Sequence, residues 1–84
     1  MYLNIGKKII ANNDIVGIFD LDITSQSRIT RDFLKYAEKA GCVINAAEDI
    51  PKSFIICEEK NKNKKVYLSQ QMTATVIKHL EEEH

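Results

Sequence analysis

Four cations share one face of a segment with helical periodicity. Arg28, Arg31, Lys35 and Lys39 recur at spacings of three, four and four, which places them within roughly 80° on a helical wheel. A basic stripe opposite an apolar one is what contact with a phosphate backbone requires. The plainer reading is a solvated helix face, on which Asp32 and Glu38 offer partial pairing. Other basic groups are Lys7-Lys8, just after Gly6, and Lys60, Lys62, Lys64 and Lys65 in an asparagine-containing stretch. The second group reads first as a charged loop tip. Lys52 is a lone cation beside Pro51, the only proline.

The remaining chemical candidates are sparse. Asp20 and Asp22 lie two apart, so in a strand both point the same way and together could share a proton or hold a metal. The alternative is that Leu21 turns inward while both carboxylates face water. His79 and His84 sit near the end of the chain, where neither is well placed to hold a precise catalytic geometry. Cys42 and Cys57 flank apolar runs, as structural thiols do. With the histidines they lack zinc-ligand spacing. Gly6, Gly17 and Gly41 are too far apart for a phosphate-cradling loop. No base and nucleophile come together, so the expectation is a protein that binds rather than an enzyme, with no cofactor, no metal and no evident small-molecule ligand.

The elements that must position these residues follow from hydrophobic period. The 84 residues leave room for one domain, and 12 basic and 12 acidic side chains give a net charge of zero. A neutral total does not announce a nucleic-acid binder, although it can conceal a basic patch. No apolar run approaches the ~20 residues a membrane span needs. With Met1 leading straight into a strand-like segment, the cytoplasm is the expected compartment, where thiols stay reduced.

Tyr2 to Ile5 reads as a strand punctuated by Gly6. Lys8 to Ala11 and Ile15 to Leu21 read as two strands joined in a hairpin through Asn12-Asn13-Asp14. A helix is expected from Arg28 to Ala40, with Ser27 as N-cap and Gly41 as C-cap. Its inward stripe would be Ile29, Phe33, Tyr36, Ala37 and Ala40. Cys42 to Ile44 reads as a short strand, and Ser53 to Cys57 with Val66 to Leu68 as a hairpin. A second helix is expected after Ser69 as its cap, with Met72, Thr73, Val76, Ile77 and Leu80 facing in. Glu81 to Glu83 would oppose its dipole and fray. The expectation is an α+β fold: a small, mostly antiparallel sheet with two helices, in the order β-β-β-α-β-β-β-α. Residues 1–84 are expected to form one domain, with 81–84 a frayed tail.

The opening Met1-Tyr2-Leu3-Asn4-Ile5-Gly6, with Ile9-Ile10 and Ile15-Val16-Gly17-Ile18-Phe19-Asp20, resembles the extracellular matrix regulatory protein family. So do Ile29-Thr30-Arg31-Asp32-Phe33-Leu34, Lys52-Ser53-Phe54-Ile55-Ile56 and Val66-Tyr67-Leu68-Ser69. The likeness is to the RemB-type branch, also filed as a domain of unknown function, and spans Met1 to about Leu80. Each motif is short; their order and spacing carry the match. The resemblance implies transcriptional regulation of matrix or biofilm-type genes by a homo-oligomer. The related RemA branch binds duplex DNA as a ring of identical subunits, in which weak sites gain through effective concentration. That branch carries arginines before the fifth strand and at the first hairpin turn. Here Asp49 and Ile50 occupy the former positions and Asp14 lies near the latter, with Lys52 alone keeping a positive charge. Aspartate repels phosphate where arginine would grip it. DNA contact would therefore fall to Arg28, Arg31, Lys35 and Lys39, with Lys7, Lys8 and Lys52, or to the lysine loop. The alternative is an oligomeric interaction module, or modulator of a related regulator, that does not bind DNA.

Overall fold

The computed structural model describes residues 2–6, 8–21, 27–60 and 63–82. Among these described residues, six strands and two helices follow the expected order: β1 (Tyr2–Asn4), β2 (Ile9–Ala11), β3 (Ile15–Asp20), α1 (Arg28–Lys39), β4 (Val43–Asn45), β5 (Ser53–Glu58), β6 (Lys64–Ser69) and α2 (Thr73–Glu82). The fold is α+β. The strands form a two-stranded ladder, β1-β2, and a four-stranded sheet ordered β3-β5-β6-β4.

The first hairpin is not the expected one. Strand β2 pairs antiparallel with β1, Leu3 opposite Ile10, and β3 pairs with β5 instead. Gly6 explains the choice. Its φ of 98° is open to glycine at little cost, and it supplies the tight reversal between β1 and β2. Its N–H donates to Asn4 Oδ1 at 3.0 Å. Asn12–Asp14 wind instead into a single 3₁₀ turn between two extended residues. The chain bends there and passes from the ladder into the main sheet.

Strand β5 is the organising element. It pairs with β3 on one side and β6 on the other, both antiparallel. Its Ile55 and Cys57 point to one face of the sheet, where they pack with Leu3, Ile5 and Ile10 of the ladder region and Val76 of α2. Phe54 and Ile56 point to the other face, towards Ala37 and Leu34 of α1. The result is three layers: hairpin with α2, then sheet, then α1. Strand β4 adds to the sheet parallel to β6, a departure from all-antiparallel pairing. The turn after α1 delivers it there. Gly41 N–H donates to Glu38 O at 3.0 Å and Cys42 N–H to Ala37 O at 2.9 Å, the two bonds of a Schellman motif around Gly41 at φ 75°.

Period two breaks in β3. The register shifts between Ile15 and Gly17, leaving Val16 as the extra residue of a bulge. Ile15 and Ile18, three apart, therefore both reach the same core. A β carbon on Gly17 would lie 2.7 Å from the Phe19 ring. That ring covers Gly17 and stacks on Phe54, 5.0 Å between centroids.

Of the two expected helix N-caps, Ser27 keeps its position and Ser69 is corrected. Ser27 stands at the start of α1 with extended geometry but makes no side-chain capping bond; its carbonyl accepts Arg31 N–H at 3.1 Å. Ser69 is the buried end of β6, and its Oγ accepts Gln71 N–H at 3.1 Å. The helix α2 starts four residues later, at Thr73.

Candidate functional site

Helix α1 carries the features that could act on a partner. Its inward face is narrower than the spacing implies. Ala37 is buried, and Thr30 and Leu34 are half-buried. Ile29, Phe33 and Tyr36, expected to face the core, are 82%, 38% and 75% exposed, and Ala40 is exposed as well. The apolar arc of α1 is wider than its contact with the sheet. The helix is rolled so that Leu34 and Ala37 meet Phe54 and Val66, and the Ile29–Tyr36 side overhangs. Helix α2 repeats this in milder form: Val76 is fully buried and Leu80 half-buried, whereas Met72 and Ile77 are exposed.

The basic stripe faces water. Arg28, Arg31, Lys35 and Lys39 are all exposed. Arg28 Nε lies 4.0 Å from Asp32 Oδ2, and both side chains are largely solvated. Such a contact contributes little. Among the described residues the other three cations have no carboxylate within 4.0 Å. The stripe is thus a run of positive charge with little local compensation.

Lys8 and Lys52 are not brought to this face. Lys8 is exposed in the turn before β2. That turn belongs to the layer on the opposite side of the sheet from α1. Lys52 is exposed at the entrance to β5, where its N–H donates to Ser69 O at 2.8 Å and its carbonyl accepts Leu21 N–H at 2.9 Å. Lys7 and Lys62 lie outside the described residues. Lys65 is engaged with Glu59 at 2.7 Å, and that carboxylate raises its pKa. The loop where the resemblance implies arginines is held by Gln70 Oε1, which accepts the N–H groups of Glu48 and Asp49 at 2.9 and 3.2 Å. It presents Asp49 and Ile50 to solvent.

The two cysteines are both free and lie on different sides of the sheet. They cannot act as a redox pair. Cys57 is sealed in the core, and burial pushes its thiol up to about 11. It remains a protonated core residue at neutral pH. Cys42 is half-buried beside α1. Asp20 is half-buried opposite Ser53; Asp22 and His84 lie outside the described residues. Among the described residues, no three His, Cys, Asp or Glu side chains gather as metal ligands. No helix in the described residues is long and apolar enough to cross a membrane.

A cavity not anticipated from the sequence lies between α1 and the sheet. Its volume is about 290 Å³, and Phe33, Tyr36, Ala40, Cys42, Ile56 and Val66 are among the residues that wall it. The sequence signal was the excess of apolar positions on α1 over what one helix can bury. No protein-family model matches the chain, and neither does any curated protein.

Proposed function

We propose that this protein is a cytoplasmic transcriptional regulator of extracellular-matrix or biofilm-type genes, acting as a homo-oligomer that binds duplex DNA through α1. The observation that carries the reading is the exposure of Arg28, Arg31, Lys35 and Lys39 on one face with little pairing. The family resemblance of the sequence supports it. Four cations per subunit make a weak site, and repetition across an oligomer would multiply it. Self-association draws support from apolar residues exposed on both sides of the sheet, Ile29 and Tyr36 on α1 and Tyr2 and Ile9 on the hairpin. Lys8 and Lys52 lie apart from the stripe, so on this reading they are accessory.

The test is duplex DNA binding across a salt series. Four phosphate contacts give a slope of about −3.6 in log affinity against log salt. Alanine at Arg28, Arg31, Lys35 and Lys39 together should abolish most binding and flatten that slope. Absence of binding at low salt would sink the DNA reading. The second reading, an interaction module that does not bind DNA, is favoured by Asp49 and Ile50 at the pinned loop. It predicts a stable oligomer, by light scattering, with no response to DNA.

A further inference from the structure

We propose that the cavity between α1 and the sheet is a binding site for a small, uncharged, largely apolar ligand, an aromatic or short aliphatic molecule. Its shape comes from side-chain size. The helix contributes the small Ala37 and Ala40 beside the large Phe33 and Tyr36, and the strands contribute Ile56, Val66 and the bulged Val16. Small side chains set among large ones leave the space open. A protein partner needs about 800 Å² of surface on each side, whereas a cavity of about 290 Å³ is the size of one compact ligand, at the lower end of small-molecule sites.

Chemistry follows from the lining. Charge enters the wall only through Glu58 and Lys64. They are direct cross-strand partners, so their fields largely cancel across the mouth. Nothing in the wall would offset the desolvation of a net charge carried inside. A ligand of fragment size held by apolar contact should bind with a Kd on the order of tens of micromolar. The cavity lies on the sheet side of α1 and the basic stripe on the water side, so this site and the DNA reading stand or fall separately.

Cys42 provides a built-in reporter. It is the half-buried thiol in the wall, and Cys57 is sealed on the other side of the sheet. The experiment titrates the intact protein with the neutral dye N-phenyl-1-naphthylamine and follows fluorescence, with 8-anilinonaphthalene-1-sulfonate as its anionic counterpart. Saturable binding of the neutral dye is expected, with alkylation of Cys42 slowed several-fold in its presence. Ala40→Trp, which fills the cavity from an exposed position, and Val16→Asp, which charges its rim, should each weaken the dye at least tenfold with circular dichroism unchanged. Three results overturn the proposal: no saturable binding, affinity untouched by both substitutions, or tighter binding of the anionic dye. Loss of dye binding as protein concentration and scattering mass rise together would overturn it too, by assigning the cavity to a second copy.

Discussion

The two faces of the central sheet are built from alternate residues of one strand, and they end up in different conditions. Ile55 and Cys57 on the first face lie under the β1–β2 hairpin and α2, with Leu3, Ile5 and Val76 closing over them. Among the described residues, Phe54 and Ile56 on the second lie under one helix, whose apolar arc overhangs the sheet and leaves a gap. The first face has two covering elements, and its buried hydroxyls, Ser53 and Ser69, are bonded to Gln71. Among the described residues the second has one covering helix, a cavity and a basic outer surface. In a chain this small the burial available to a monomer is limited. It is concentrated on one side, and the other side stays partly open.

That contrast can be broken by substitution. Ile55→Ala on the closed face should cost about 3–5 kcal/mol, because the hairpin and α2 cannot both collapse into the void. Urea denaturation measures it; a loss under 1.5 kcal/mol would mean the closed face is loosely packed. The same face should be sensitive to alkali. Folded Cys57 keeps its proton up to about pH 11, whereas an ordinary thiol near 9 has already released it. The unfolded chain therefore gains stability between these values, and the folded protein loses on the order of 2–3 kcal/mol relative to it as pH rises from 9 to 11. Tyr67, also raised by burial, tilts the balance the same way. Cys57→Ala should remove most of the slope in a series of melts from pH 8 to 11. The smallest effect belongs to the open face. Ile29→Ser should change stability by no more than about 0.5 kcal/mol in dilute protein. A larger loss that grows with protein concentration would show that Ile29 is covered in an assembly.

Parts of this arrangement were legible in the residues. The β-branched run at Ser53–Cys57 and its partner at Val66–Leu68 declared a hairpin, and Gly41 marked the end of α1, because period and glycine act locally. The exposure of Arg28, Arg31, Lys35 and Lys39 was legible for a similar reason, since unpaired charges are not buried. What escaped was relational. Alternation cannot say which strand β2 pairs with, and Gly6 decided that against Asn12–Asp14. The bulge at Val16 hides in an unbroken apolar run. Helical spacing defined the apolar arc of α1 but not which part of it meets the sheet, so Ile29, Phe33 and Tyr36 were placed in the core. The cavity depends on a gap between α1 and strands far away in sequence, and no local pattern encodes it.

The central place of β5 has a consequence for how the chain assembles itself. Its pairing with β6 closes a short loop, so that hairpin can form early, whereas its pairing with β3 brings together segments some forty residues apart and must wait for a costly closure. During synthesis β1, β2 and β3 emerge before the strand they are to be laid upon. Strand β3 and the ladder ahead of it stay without their main partner until Ser53–Glu58 has left the ribosome. Until then these strands are waiting for their template, and their apolar surface is open to neighbouring copies.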